Sequence, residues 1–352
     1  MPDITGKFQG GLTLEISPRK EDLTKYVVGQ MDLLPSFVTS SPDLQKKIKA
    51  EIPSVANGMF LLAARHMNEL SEQPTRGDLE SALHSLPTAL DESYERTMSR
   101  IKSQGGKHQS LAEKVLSWVV CAKEPLYITE LQHAVAVKLK ESNLDESFIP
   151  PTKTIESICA GLVTIDQSNV FRLAHYTAKE YFERKHTFWL PDAGTMITTS
   201  CVTYLSYSVF ATGFCDTDYG LRERLRFLPL YKYASSYWGD HAREAPVLDQ
   251  QIIQSFLGRD KNVEASTQAL LADTSRTFWP AHYFGSETSL GVKGLHLAAY
   301  FGLRQTASAV LTTTPSLLDE RESTAVHRWY GPREAGMKLL GDCCSIKELC
   351  LI

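Results

Sequence analysis

One hairpin pattern interrupts a sequence whose apolar residues otherwise recur mostly at helical spacing. The runs "LVTI" and "VFRLAH" alternate apolar and polar residues on either side of "DQSN", a cluster of turn-forming residues. Three helical patterns precede this hairpin, and a fourth, "TAKEYFERK", follows it. The order helix, helix, helix, hairpin, helix predicts a winged-helix domain over residues 108–190.

Pairs of polar residues predict where the helices of this domain begin. Three hydroxyl residues, each followed three positions later by Glu or Gln, match the capping-box pattern: Ser110, Thr129 and Thr177. In a capping box the hydroxyl oxygen accepts a backbone N–H of the first helical turn, and the Glu or Gln side chain bonds back to the cap. We therefore expect these three residues to be N-caps.

Helical patterns also dominate the regions on either side. Residues 19–107 predict a helical domain that ends near the helix-breaking pair Gly105-Gly106, and residues 191–285 predict a second one. Residues 1–18 contain "LTLEI", whose alternating apolar residues indicate a strand. The predicted fold class is therefore mostly α, with a helical domain, a winged-helix domain, a further helical bundle and short repeats.

A weak repeat occupies the last part of the sequence. "GLHLAAYFG" recurs loosely as "AVHRWYG", with His296 and His327 separated by nearly the ankyrin period of about 33 residues. Two units fall below the roughly three that an independent stack needs, so these degenerate repeats, predicted over residues 286–345, must pack on the preceding helices. The apolar residues expected to stay open for a protein partner are Leu297, Trp329 and Leu340.

Catalytic motifs are missing from the sequence. There is no phosphate-binding P-loop, no Gly-x-Ser-x-Gly elbow and no His-Glu-x-x-His. None of the ten histidines pairs with a carboxylate or thiol at metal-ligand spacing, and the seven cysteines include no Cys-x-x-Cys pair. We therefore predict no enzyme activity, no catalytic residues, no metal site, and reduced thiols in a cytoplasmic protein.

Charge and hydropathy limit the classes of partner. The net charge of −4 gives no broad basic footprint, so we expect no nucleic-acid partner. The longest apolar runs are far shorter than the roughly 18 residues of a membrane span, so we expect no membrane partner. Other proteins, bound through the C-terminal helical and repeat region, are the expected partners.

His175 stands at the most informative position among the histidines. It ends the second strand of the predicted hairpin and lies two residues before Thr177. A histidine at this place can donate a hydrogen bond to an anion near the helix start, or it can bond to the hairpin backbone. Spacing alone favours the structural role.

Six motifs in succession resemble the fungal NACHT proteins, which are NOD-like receptors of the signal-transducing ATPase (STAND) class. They are "ANGMFLLA", "LPTALDESYERTM", "ELQHAVAV", "ICAGLVTID", "RLAHYTAKEYFER" and "YASSYWGDHAR". The resemblance extends over roughly residues 1–285. Many members of this family also carry ankyrin repeats, and "GLHLAAYFG" matches the ankyrin pattern.

This resemblance implies a history for the chain and for His175. Residues 1–18 would be a remnant of the last strand of a nucleotide-binding domain, whose P-loop and acidic metal-binding motif would lie upstream of Met1. In related receptors the histidine that matches His175 reads the phosphate of the bound nucleotide. Because this chain has no P-loop to hold that phosphate, we expect no cofactor. We expect His175 to be an ancestral nucleotide sensor without its ligand.

Three functions from different classes follow. The first, which the sequence favours, is a non-enzymatic interaction module or regulator derived from a NACHT-ankyrin receptor, with intact NACHT receptors among its expected partners. The second is a fragment of a complete, nucleotide-switched receptor. The third is an unrecognised enzyme, because this type of winged helix also occurs in proteins named after a glycolipid deacylase.

Overall fold

Helices dominate the computed structural model, which describes residues 19–245, 249–272 and 292–313. This confirms the mostly α fold class. The chain divides into two compact units, residues 1–100 and 101–352.

Some of the predictions concern residues that the structure does not describe. The remnant strand at residues 1–18 lies outside the described residues, and so do Trp329 and Leu340. Of the predicted repeats at residues 286–345, only residues 292–313 are described. The five domain boundaries stay predictions.

The described part of the first unit is built from helices that share one apolar core. Leu23 and Val27 of α1, Leu44 and Ile48 of α3, and Leu62 of α4 are almost completely buried. A spacing of four residues places each pair on one face of its helix, and α1 packs against both α3 and α4. The helices are α1 Lys20–Gly29, α2 Ser36–Thr39, α3 Pro42–Val55, α4 Phe60–Ser71, α5 Arg76–His84 and α6 Leu90–Ser103.

The second unit begins with the winged-helix order that the sequence predicts. Two short antiparallel strands form the expected hairpin, in which Val163 lies opposite Leu173 and Ile165 opposite Phe171. The elements are α7 Gly106–Cys121, α8 Ile128–Ala136, α9 Thr152–Ile158, β1 Val163–Ile165, β2 Phe171–Leu173 and α10 Tyr176–Trp189. The hairpin prediction is confirmed.

Hydrogen bonds hold the hairpin at its turn and along one edge. In its turn, the Asp166 carboxylate accepts the backbone N–H groups of Ser168 at 2.8 Å and Val170 at 3.1 Å. At its outer edge, the segment before α8 adds a third extended piece, since Tyr127 bridges to Val170 and the Phe171 N–H donates to the Leu126 carbonyl at 3.0 Å. The wing is therefore held to the helical part of its own domain through the backbone.

The first two of the three predicted helix starts are wrong, as is the third, which is described with the site below. Helix α7 begins a full turn before Ser110, after Gly105, whose φ of 66° is readily available only to glycine. Helix α8 begins before Thr129, and the carboxylate of Glu130 accepts the Tyr127 N–H at 2.7 Å. Hydroxyl and acidic residues three apart also occur inside helices, so the pattern alone misplaced both starts.

A helical bundle follows the winged helix, and aromatic rings fill its centre. Helices α11 and α13 pack along each other, and α13 also packs on α15. The rings of Tyr204, Phe210 and Tyr231 are buried and contact one another in sequence, with centroids 6.1 Å and 4.6 Å apart. The helices are α11 Ala193–Leu205, α12 Asp218–Phe227, α13 Leu230–Glu244, α14 Gln250–Leu257, α15 Asp260–Leu271, α16 Gly294–Tyr300 and α17 Arg304–Thr313.

Helix α15 is buried on nearly all sides, and two of its polar side chains, Asn262 and Gln268, are hydrogen-bonded to the surrounding backbone. The Gln268 side chain donates to the Cys215 carbonyl at 2.9 Å and accepts the Cys215 N–H at 2.8 Å. The Asn262 amide donates to the Leu205 carbonyl at 2.9 Å. These bonds offset the cost of burying polar groups and fix the register of α15 against its neighbours.

The first repeat-like segment forms a helix pair, α16 and α17, that packs on this bundle. The ring of Phe301, between the two helices, lies edge-on against Trp238 of α13 with centroids 5.0 Å apart. It also occupies the space above Gly239, where a Cβ would collide with it. The Phe301 carbonyl accepts a hydrogen bond from Arg243 at 3.1 Å. The packing of this first segment on the preceding helices therefore rests on specific contacts of Phe301.

Leu297 is not an open apolar residue. Its side chain is only 2 % exposed, because α16 packs against α14, α15 and α17. Close packing at the start of α16 needs Gly294, where a Cβ would collide with the Leu257 backbone. The expectation that Leu297 leaves apolar surface exposed is therefore wrong, and a role for it in partner binding stays a prediction.

Candidate functional site

A cavity of about 1130 Å³ lies between the winged helix and the bundle, within the second unit. Its walls come from the end of α7 and the turn after it, from β2, from one side of α10, from the α10–α11 junction and from the end of α13. His175, His186 and His241 all line it. The fold therefore places His241, from "WGDHAR" on α13, on the same cavity as His175, whereas the sequence predicts for His241 only a partly buried helix histidine.

His175 is the N-cap of α10, and Thr177 is not. The backbone of His175 is extended, with φ −150° and ψ 151°, and its Nδ1 accepts the Thr177 N–H at 3.2 Å. The Thr177 hydroxyl lies 2.9 Å from the same nitrogen. The predicted start at Thr177 is therefore wrong by two residues, because an imidazole performs the capping that the sequence pattern assigns to a hydroxyl.

His241 belongs to a buried hydrogen-bond chain that links α13 to the turn after α7. The backbone N–H of Lys123 donates to the Tyr233 hydroxyl at 3.0 Å, and this hydroxyl lies 2.8 Å from Nε2 of His241. Nε2 is the remaining partner of this buried hydroxyl among the described residues, so we assign the hydroxyl proton to the bond with Nε2. Burial, and then the nearby Lys123 ammonium, lower the pKa of His241 to about 4, so the ring is neutral at physiological pH.

Charged groups on the same turn reinforce this connection. The Lys123 ammonium pairs with Glu244 at 2.5 Å, and the Tyr237 hydroxyl donates to Glu124 at 3.2 Å. Together with the chain through Tyr233, they fasten the winged helix to α13. The side chains of the cavity wall formed by the turn after α7 and the end of α13 are thereby held in place.

A third histidine, His133 on α8, has a structural role. Its Nδ1 lies 3.1 Å from the Tyr204 hydroxyl, and it does not line the cavity. Within the described ranges, no group of three or more His, Cys, Asp or Glu side chains is placed to hold a metal ion. None of the described helices combines the length and apolarity needed to cross a membrane.

Replacing His175 should separate its capping role from its ring. His175→Ala removes the acceptor for the Thr177 N–H and should lower the free energy of unfolding by about 1 kcal/mol. His175→Asn keeps an acceptor at the position of Nδ1 and should cost clearly less, although it also loses the ring contact with Tyr176 at 4.4 Å. Urea denaturation measures both values. Equal destabilisation by Ala and Asn would rule out the cap.

Burial of His241 should make stability depend on pH. Its pKa is about 4 in the folded protein and about 6.5 when unfolded, so the unfolded chain binds more protons between these values. The free energy of unfolding is therefore highest above pH 6.5 and decreases as the pH falls, by about 1.5 kcal/mol between pH 6.5 and 5. His241→Gln, which keeps an acceptor for Tyr233, should remove this part of the dependence. Burial also lowers the pKa of His66 to about 4. Because His66 is present in both proteins, its contribution cancels when the two pH dependences are compared.

Comparison with known proteins supports the winged-helix assignment. Residues 95–187 match the family model of the GPI inositol-deacylase winged helix domain. "Azaphilone pigments biosynthesis cluster protein L" of Monascus ruber is 28% identical over 219 residues, which cover 56% of this chain and 45% of that protein. The match therefore spans less than half of the relative's length. No solved structure matches the chain.

The family-model match supports the winged-helix part of the resemblance. The NACHT and ankyrin assignments made from the motifs stay predictions. The chain contains a winged-helix domain similar to that of GPI inositol-deacylase, and it is distantly similar to a fungal biosynthesis-cluster protein.

Proposed function

We propose that this protein is a non-enzymatic interaction module or regulator, derived from a NACHT-ankyrin receptor, that acts by binding other proteins. The observation that supports this most is the packing of the helix pair α16–α17. Its inner face is buried on α14 and α15, whereas the side chains of Arg304, Gln305 and Ser308 are exposed. Repeat proteins use this division, with one face for their neighbours and the other for partners.

The four cysteine thiols within the described ranges support binding rather than cysteine catalysis. Burial raises the pKa of Cys121 to about 11 and that of Cys159 to about 12, and it also raises the pKa of Cys201 and Cys215. A cysteine nucleophile must be a thiolate near neutral pH. These four thiols are therefore protonated and suited to packing.

The relative's name supplies a context for the proposal. That protein is named for an azaphilone pigment biosynthesis cluster. We propose an accessory or regulatory role in the cytoplasm for this chain, beside biosynthetic enzymes or beside intact NACHT receptors.

Affinity capture with a surface variant tests the interaction role. Arg304→Glu combined with Ser308→Arg changes the charge of the exposed face of α17 and touches no buried side chain. We expect the wild-type chain to retain a saturable protein partner and the variant to lose it at unchanged thermal stability. Equal capture by both proteins would exclude this face. Turnover of a generic ester panel by the purified chain would instead favour the enzyme.

A fragment of a nucleotide-switched receptor is the second candidate, favoured by the position of His175 at a helix start beside the cavity. Because the sequence contains no P-loop, we expect no detectable binding of Mg-ADP or Mg-ATP by the 352-residue chain. Isothermal titration calorimetry measures this. Saturable binding in the micromolar range would show that a cradle exists and would favour the receptor.

A further inference from the structure

The walls of the cavity are mainly apolar and partly aromatic. Phe171 and Phe182, both nearly fully buried, form part of the lining, together with Leu126 and the more exposed Tyr176. Concave sites with apolar walls and a few fixed polar groups are typical of small-molecule binding, and this cavity is slightly larger than their usual range of about 300–1,000 Å³. The polar groups then decide which ligand chemistry fits.

His175 supplies one hydrogen-bond donor to this cavity. The Thr177 backbone N–H can only donate, so Nδ1 of His175 must be the acceptor. In the neutral ring the proton is therefore on Nε2. This N–H has no acceptor among the residues that the structure describes.

His241 supplies a second donor in the same way. Its Nε2 accepts the proton of the Tyr233 hydroxyl, so the neutral ring carries its proton on Nδ1. The side chain is only 2 % exposed and lines the cavity. None of the hydrogen bonds among the described residues involves Nδ1, so an acceptor in the cavity can take this proton.

The charges around the cavity disfavour an anion. The lining contains three cationic side chains and four carboxylates. The cations are Lys123, Arg172 and Lys179, and the carboxylates are Glu124, Glu183, Asp192 and Glu244. Lys123 is paired with Glu244, and Arg172 is paired with Asp166. A phosphate or carboxylate would meet more negative than positive charge, whereas a neutral ligand avoids this repulsion.

We propose that the cavity binds a neutral aromatic molecule that carries carbonyl or ether oxygens. The oxygens accept hydrogen bonds from Nε2–H of His175 and Nδ1–H of His241. The aromatic body packs on the exposed ring of Tyr176, which lines the cavity together with the buried Phe171 and Phe182. This site is separate from the exposed face of α17 that the proposed function assigns to protein partners.

Equilibrium dialysis of the intact chain with flavone and with 2-phenylnaphthalene tests the proposal. The two probes have similar fused-ring and phenyl skeletons, but only flavone carries oxygen acceptors. His175→Asn keeps the cap and removes the Nε2 donor, and His241→Gln keeps the acceptor for Tyr233 and removes the Nδ1 donor. His133→Asn, at a histidine outside the cavity, is the matched control.

The expected result is saturable binding of flavone by the wild-type chain, with a Kd about fivefold weaker in each cavity variant and unchanged in the control. The hydrocarbon should bind more weakly and should not respond to either variant. Absence of saturable flavone binding, or equal response of both probes, would overturn the proposal. Binding of Mg-ADP that His175→Asn abolishes would also overturn it, since the site would then take an anion.

Discussion

Phe301→Ala should lower the free energy of unfolding of the second unit by about 3–5 kcal/mol, as expected for truncating a buried phenylalanine. The ring is 2 % exposed and lies edge-on against Trp238 of α13. Its loss leaves a cavity above Gly239. Chemical denaturation followed by circular dichroism measures the change.

A double-mutant cycle with Gly239 makes this prediction specific. Gly239→Ala alone should cost about 1–3 kcal/mol, because the added methyl group collides with the Phe301 ring. In the Phe301→Ala background the same change should cost much less, since the colliding ring is gone. Strict additivity of the two substitutions would show that the ring does not lie on Gly239.

Tyr181→Ala and Phe182→Ala should each cost about 3–5 kcal/mol, because they remove large buried rings from α10. Their side chains are at most 1 % exposed, and the two rings touch edge-on at 5.4 Å. The Tyr181 hydroxyl also accepts a hydrogen bond from Trp189 at 2.6 Å. Thr177→Ala should cost less than 1 kcal/mol, because His175 is the N-cap.

Phe188→Ala is the matched control for this helix. Its ring is 69 % exposed, so its removal should change the free energy of unfolding by less than about 0.5 kcal/mol. Urea midpoints rank the four variants. A larger loss from Thr177→Ala than from either buried ring would contradict the assignment of α10.

The hairpin could be predicted because its signals are local. Alternation of apolar residues on both sides of Asp166 and its turn is enough to define two short strands, whose register the structure then shows. The starts of the helices were harder to predict from the sequence. Glu130 acts through its own carboxylate on Tyr127, and His175 caps through a ring nitrogen, and neither fits the hydroxyl pattern.

The cavity and the packing of the repeat segment depend on contacts between distant parts of the chain. Nothing local to "WGDHAR" shows that Gly239 lies under the ring of Phe301, or that His241 faces the same space as His175. The one local signal was the spacing of Tyr233 and His241, eight residues apart and therefore on one face of a helix. Leu297 was misjudged for the same reason, since its burial depends on α14 and α15.

Hydrogen exchange of the intact chain tests most directly whether the helix pair α16–α17 belongs to the folded body that presents its outer face to partners. The amide of Phe301 donates to the Leu297 carbonyl at 3.1 Å, and that of Leu303 to the Ala298 carbonyl at 2.9 Å. If the pair is part of this body, these amides should be protected nearly as strongly as those of α13. Exchange at the rate of an unfolded chain, while α13 stays protected, would contradict the account.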